Sequence, residues 1–234
     1  MDRSGRGATI GGMPEAQVLH ALFVHGMGRS PLSGWPLLRR LRGAGLETQT
    51  FGYAVTIHGF SAIVERLSAR IEQLARQGDY ILIGHSLGGV LLRAALARLH
   101  EDVPGPRHLF LLGSPVQPAR LARRLRFNPI FRALTGDCGQ LLGSRRRMRG
   151  IKVPNVPVTA VTGTRAAPRV LGLFGNEPND GIVSSSETFA DWIEGSVEIP
   201  VVHTLLPSSL EAADAILRRL NARVPSRAGD ATDS

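Results

Sequence analysis

Tyr80-Ile81-Leu82-Ile83-Gly84-His85-Ser86-Leu87-Gly88-Gly89 decides the fold. Tyr80 to Ile83 is a short apolar run of the kind that forms a buried strand. The run breaks at Gly84, presents one serine, and passes through Gly88 and Gly89 into an alanine-rich helical stretch that ends near Leu99. Gly-x-Ser-x-Gly between a strand and a helix is a turn in which the chain folds back on its own strand, leaving no room for a Cβ two residues either side of the serine. Ser86 is thereby presented at the tip, and the Leu87 N–H lies at a helix N-terminus, where negative charge is favoured. Such a serine is a candidate nucleophile.

Outward from this turn, the chain alternates short apolar runs with helical stripes. Val18–Val24, Thr48–Val55, His108–Leu112, Pro157–Thr162 and Val197–Val202 read as five further strands. Pro36 opens a helix that Gly43 stops. Ile63, Leu67, Ile71 and Leu74 form one stripe of a helix over Ser61–Gln77, which Gly78 ends. Ser208-Ser209-Leu210-Glu211 reads as a capping box for a last helix striped by Leu210, Ala213, Leu217 and Leu220. Strands alternating with helices predict right-handed crossovers and an α/β fold: a mostly parallel six-stranded sheet with helices on both faces. Residues 117–150 break the alternation. They read as an insertion with two short helical pieces over the C-terminal edge of the sheet, where ligands bind in such folds.

The chain has 234 residues, 43% of them apolar, enough for one sizeable core over residues 18–221. Residues 1–17 and 222–234 are polar or glycine-rich and read as flexible ends. No apolar run approaches membrane-spanning length and the N-terminus has no signal-like apolar segment, which predicts a cytoplasmic protein. One cysteine, Cys138, excludes an internal disulfide framework, and no Cys/His cluster has structural zinc spacing. No metal or other cofactor is expected.

The net charge is +9, and nearly all the basic residues are arginine. Arg120, Arg123, Arg124, Arg126, Arg132, Arg145, Arg146, Arg147 and Arg149 crowd one stretch. Only Phe127 and Phe131 interleave with them, which is poor provision for stacking on bases, so nucleic acid is disfavoured. An anionic membrane surface or ligand suits the cluster better, against the plainer reading of a solvated basic face.

A serine nucleophile needs a general base, and the base an orienting carboxylate. In the chain order serine, acid, histidine, only His203 follows the last apparent strand. His20, His58, His100 and His108 lie before any suitable acid, and His25 lies in the first glycine turn. The acid is Asp180 in Asn179-Asp180-Gly181-Ile182-Val183, preferred to Asp191 and to Glu177, whose backbone Pro178 restricts. A plain Asp-Gly turn is the structural alternative. An oxyanion needs two donors. One is the Leu87 amide; the other is assigned to Met27 in His25-Gly26-Met27-Gly28, the turn after the first strand. His25, Gly26, Gly28, Gly84 and Gly88 support these turns.

Phe23 to Gly28, Phe51-Gly52-Tyr53, Gly84 to Gly89, Leu112-Gly113-Ser114-Pro115, Asn179 to Ser184 and Val202-His203-Thr204 together resemble the α/β-hydrolase superfamily. The resemblance is to bacterial lipase- and esterase-like members of the minimal type and spans most of residues 18–221. It implies hydrolysis of small-molecule or lipid carboxylic esters, with Ser86, Asp180 and His203 as catalytic triad, the Met27 and Leu87 amides as oxyanion hole, and no cofactor. Thioesterase, amidase and acyltransferase chemistry use the same groups, and a non-catalytic protein that binds anionic lipid through the basic cluster is the rival of a different class. Segments like 117–150 are caps or lids in the family. Here Leu121, Leu125, Phe127, Ile130, Phe131, Leu134, Leu141 and Leu142 would line an acyl site, or else pack the insertion down. Many relatives have a proline after Phe-Gly-Tyr; this chain has Ala54.

Overall fold

The computed structural model describes residues 18–166 and 172–222. The expected flexible ends, 1–17 and all of the tail beyond Ala222, lie outside the described residues. Six strands form one sheet: β1 (His20–Val24), β2 (Glu47–Phe51), β3 (Tyr80–His85), β4 (His108–Leu112), β5 (Val158–Gly163) and β6 (Gly195–Ile199). Their order is β2-β1-β3-β4-β5-β6, and every pair is parallel, so the sheet is wholly rather than mostly parallel. The expected α/β class holds.

The sheet is buried because helices cover both faces, and its alternating side chains divide between two cores. Leu22 and Val24 of β1, Leu82 of β3, and Leu109 and Leu111 of β4 point into one core. There they meet α2 (Phe60–Ala75) and α3 (Leu87–Leu96). Ala21, Phe23, Ile81, Ile83, Phe110 and Leu112 point the other way. They meet α1 (Trp35–Arg42) and the last helix, Leu210–Asn221. The edge strands β2 and β6 are only partly covered and read as mixed polar sequences for that reason.

Both edge strands are shorter than their apolar runs. β2 stops at Phe51, where Gly52 turns the chain away, and Val201 and Val202 continue past β6 without joining the sheet. The last helix also starts one residue later than the expected capping box. Ser209 is its N-cap, accepting from Ala212 N–H, whereas the Ser208 hydroxyl donates to Ser33 O at 3.1 Å. Another capping box exists at Ser184–Glu187, on the short α7 (Ser185–Thr188).

Residues 117–150 hold three helices rather than two pieces: α4 (Arg120–Leu125), α5 (Pro129–Gly143) and α6 (Arg145–Arg149). The helix from Leu210 is α8. Within α5, Gly136 has φ +52° and breaks the helix into two segments with different phase. This arm is fastened at both ends. Arg120 donates from Nη1 to Glu177 Oε2 at 2.7 Å and from its backbone to Glu187. Farther along, Asp137 Oδ2 accepts from Phe60 N–H at 3.1 Å, and Arg147 grips the same carboxylate through two nitrogens, at 2.6 and 3.0 Å. No helix among the described residues is long and apolar enough to cross a membrane.

Candidate active site

Strand order places the site. β1 leads to β2 on one side, and the chain then returns to lay β3 on the other side of β1. The connections after β1 and β3 therefore depart to opposite faces, and the gap between their C-terminal ends is where open α/β sheets bind ligands. Ser86 follows β3 and the His25–Gly28 turn follows β1.

Ser86 has φ +51° and ψ −122°, and it is the one non-glycine residue at positive φ among the described residues. Holding a serine there costs about 1–3 kcal/mol, which the surroundings must supply. They do so by close approach. A Cβ on Gly88 would run into Val24 O, and a Cβ on Gly84 into the backbone of Gly89. The Ser86 N–H donates to Leu112 O at 2.9 Å, and Ser114 Oγ to Gly84 O at 3.0 Å. From Tyr80 to Arg93 every residue except Ser86 is buried. Its hydroxyl makes no hydrogen bond within the described residues, and it faces outward from the N-terminus of α3.

Asp180 and His203 meet after β5 and β6. His203 Nδ1–H donates to Asp180 Oδ2 at 2.6 Å, and its backbone N–H to Asp180 O at 3.0 Å. Both residues are buried, at 5% and 2% exposure, so this charged hydrogen bond is shielded from water. The other carboxylate oxygen, Oδ1, accepts from Ile182 and Val183 N–H at 3.0 and 2.8 Å. This Asx-type turn fixes the carboxylate, and it leaves His203 Nε2 as the ring nitrogen with its lone pair free.

The pair stands beside the serine. Gly113, at φ +53° on the turn after β4, is where a Cβ would come 3.1 Å from both Asp180 Oδ2 and His203 Nδ1. Gly113 directly follows Leu112, which holds the Ser86 backbone. The rings of His85 and His203 are 4.8 Å apart. His85 Nε2–H donates to His203 O at 3.0 Å, so the residue before the serine grips the backbone of the histidine. Burial pushes the His85 imidazole well below its ordinary value, and the neighbouring His203 adds to this, so His85 is neutral.

Met27 occupies a tight turn in which Arg29 N–H donates to Gly26 O at 3.2 Å and Gly28 has φ +68°. A Cβ on Gly26 would stand 3.1 Å from Ser86 Cβ, so this turn borders the serine from the β1 side. His25 holds the turn to the connection after β2. Its ring stacks on Tyr53 with centroids 4.3 Å apart, and Tyr53 Oη–H donates to His25 O at 2.8 Å. His25 Nδ1–H donates to Gly26 O at 2.8 Å. Burial lowers the His25 pKa, only partly offset by that bond, which favours a neutral ring.

The rival acids lie elsewhere. Asp191 is exposed, and Glu177 is tied to Arg120 and to Ser186 N–H at 2.8 Å. Burial raises the Glu177 pKa, but the Ser186 and Arg120 hydrogen bonds outweigh it and hold the carboxyl at about 2. The apolar residues of the arm divide. Leu141 and Leu142 are buried in the core rather than free to line an acyl site, while Phe127, Ile130 and Leu134 are exposed to solvent. Three contributors have no individual role in the sequence alone: His85 and Gly113, which stand within the quoted motifs, and Glu187. Only Glu187 had a local signal, Ser184-x-x-Glu187.

No curated protein matches the chain. Among solved structures it is similar to the mature lipase BlEst2 of Bacillus licheniformis, with TM-score 0.71 and 16% identity over 89% of this chain and 94% of that one. It is also similar to phospholipase PlaB of Legionella pneumophila, with TM-score 0.71 and 15% identity over 90% of this chain and 59% of that one. A third is the RedJ thioesterase of prodiginine biosynthesis in Streptomyces coelicolor, with TM-score 0.57 and 17% identity over 94% and 91%. Identities this low speak for the fold alone. The alpha/beta hydrolase family model matches residues 21–228, nearly the whole of the described chain, and the protein belongs to that family.

Proposed function

We propose that the chain is a serine hydrolase that cleaves carboxylic esters through an acyl-enzyme intermediate. The observation that carries the proposal is the buried Asp180–His203 hydrogen bond of 2.6 Å beside a serine held at positive φ. Ser86 Oγ attacks the ester carbonyl while His203 Nε2 takes its proton. Asp180 keeps the other ring proton on Nδ1 and stabilises the imidazolium. The carbonyl oxygen becomes an oxyanion and receives hydrogen bonds from the Leu87 and Met27 amides, each worth about 10²–10³-fold in rate. The tetrahedral intermediate collapses, the C–O bond breaks, and His203 protonates the departing alcohol. Water then attacks the acyl-enzyme with His203 again as base, and the acid leaves with Ser86 restored. No step calls on a group outside this chain other than water.

A lipase and a phospholipase among the similar structures favour lipid or other ester substrates. A thioester is the second reading, favoured by the similar thioesterase structure. The test is hydrolysis of p-nitrophenyl esters from acetate to palmitate, beside acyl thioesters, by the unmodified chain and by Ser86→Ala. The expected outcome is turnover of an oxyester that Ser86→Ala abolishes while remaining folded. Faster turnover of thioesters would move the assignment to a thioesterase, and no turnover of either by folded protein would sink the hydrolase reading.

A further inference from the structure

The exposed large apolar side chains are not scattered evenly. Because every strand is parallel, each connection leaving a strand emerges at the edge that carries Ser86. Leu32 after β1 and Ile57 after β2 are 76% and 77% exposed. Ile182 after β5 and Leu205 after β6 also face solvent. On the arm after β4, Phe127, Ile130 and Leu134 are 75%, 70% and 63% exposed. Ile130 and Leu134, four residues apart, share one side of the first segment of α5, and Phe127 stands in the turn just before it. Among the described residues, the connections entering the strands from the opposite edge expose only Val18, Val153 and Phe189.

The same arm carries a cluster of unpaired positive charge. Among the described residues Arg123, Arg124, Arg132 and Arg145 have no acidic partner, whereas Arg120 and Arg147 are held by Glu177 and Asp137. Two clefts open between these helices. One of about 650 Å³ is lined by Arg123, Arg126, Gln140, Ser144 and Arg145. The other, of about 420 Å³, is lined by Arg120, Arg123, Arg124 and Leu173. Guanidinium groups pair bidentately with phosphate, and apolar side chains beside them enter acyl chains.

We propose that the Ser86 edge docks on an anionic phospholipid surface, with Arg123 and Arg124 on headgroup phosphates and Ile130 and Leu134 in the acyl boundary. This builds on the ester-hydrolase reading, because docking would present lipid esters to Ser86. Charge complementarity selects the occupant. A second copy of a chain with net charge +9 would be repelled. Nucleic acid would supply the phosphates, but among the seven exposed apolar side chains of this edge Phe127 alone has a π-face, and Arg126 already lies over it, so there is no series of platforms for successive bases.

The test is cosedimentation of the full chain with vesicles of phosphatidylcholine, alone or mixed with phosphatidylglycerol, at low and high salt. Binding is expected to the mixed vesicles and to weaken steeply with salt. Arg123→Ser with Arg124→Ser should weaken it by roughly thirtyfold, about fivefold per arginine. Ile130→Ser with Leu134→Ser should remove the part of the binding that survives high salt. Both double variants should keep the hydrolysis rate on soluble p-nitrophenyl butyrate. Equal affinity for both vesicle types, unchanged binding of the arginine variant, preference for a single-stranded oligonucleotide, or a stable dimer that hides the edge would each overturn docking. Vesicle binding without ester hydrolysis would overturn the hydrolase reading and leave docking standing; hydrolysis without vesicle binding would do the reverse.

Discussion

The Ser86 turn and the α4–α6 arm sit at the same edge of one sheet and are built on opposite terms. Between Tyr80 and Arg93 only Ser86 escapes burial, and two glycines press against backbone on both sides of it. In the arm, Arg123, Arg124, Phe127, Ile130 and Leu134 all face water, while Ala122, Cys138, Leu141, Leu142 and Met148 seat its inner side in the core and two polar fastenings hold it, one to Glu177 and Glu187 and one at Asp137. The first region is over-determined, so a strained serine persists there. The second seats one side in the core and spends the other on surface. The proposed chemistry uses the fixed atom of the first; the proposed docking uses the exposed surface of the second.

The largest effect should come from removing the carboxylate that orients His203. Asp180→Asn is expected to lower kcat by on the order of 10³–10⁴-fold with little change in KM, because an amide can donate to Nδ1 and stabilise the wrong tautomer. A steady-state comparison on one ester checks it, and a loss carried by KM instead would remove Asp180 from the proposed triad. Glycines sharpen the contrast in stability. Gly88→Ala drives a Cβ into Val24 O, backbone that cannot give way, and should cost about 3 kcal/mol or more. Gly150 ends α6 at φ −73°, where a Cβ would lie 3.4 Å from Arg147 O, an ordinary contact. Gly150→Ala should change stability by less than about 0.5 kcal/mol. Urea midpoints for the pair measure the difference directly, and equal losses would break the comparison.

The over-determined region is also the one that was legible in the sequence. β1, β3 and β4 read correctly because strands buried on both faces are continuous apolar runs, and the Gly-x-Ser-x-Gly turn is local chemistry. His203 could be singled out by chain order and location, and Asp180 by its loop against Asp191 and Glu177; the structure brings the two into one hydrogen bond near Ser86. What was not legible depends on residues far apart in the chain. The His85–His203 bond joins positions 118 residues apart, and nothing near His85 announces it. The edge strands were drawn too long because apolar residues continue where the sheet does not. Ser208 and Ser209 are equally good caps by sequence, and a contact to Ser33 decides between them. In the arm, periodicity finds an apolar face but not what covers it. The kink at Gly136 resets the phase, so Leu141 and Leu142 turn inward while Ile130 and Leu134 do not.

Titration separates the regions further. His25 and His85 have folded pKa values below the ordinary 6.5, so the unfolded chain binds more protons than the fold as pH drops under that value. Their contribution is therefore intact above about pH 6.5 and is lost as pH falls below it, at up to roughly 1.4 kcal/mol per pH unit for each ring. Thermal midpoints should decline between pH 7 and pH 5, and His85→Gln, whose amide can still donate to His203 O, should flatten that decline. A decline of unchanged slope would place the sensitivity outside the His85 cluster.

The two fastenings of the arm give the smallest and most discriminating pair. Glu187 is buried and accepts from Ser184 N–H at 2.8 Å, Ser184 Oγ at 2.9 Å and the Arg120 backbone. Glutamine has one acceptor oxygen for these donors and turns an N–H₂ toward another, so Glu187→Gln should cost about 1–3 kcal/mol. Asp137 is nearly half exposed on its side chain, and water screens its grip on Arg147. That ion pair holds the Asp137 carboxyl below the usual carboxylate range against a smaller opposing effect of burial. Asp137→Asn should therefore cost no more than about 1 kcal/mol, and less in high salt. The order matters because each fastening ties the arm to a different wall. Glu187 joins it to the loop that carries Asp180, and Asp137 joins it to α2 near the connection after β2. If Glu187→Gln lowers both the urea midpoint and kcat while Asp137→Asn lowers neither appreciably, the arm is rooted in the acid loop. Its outer helices can then follow a surface without disturbing Ser86. Equal costs would mean the arm is clamped at both ends as firmly as the serine turn, and the contrast between the two regions would fail.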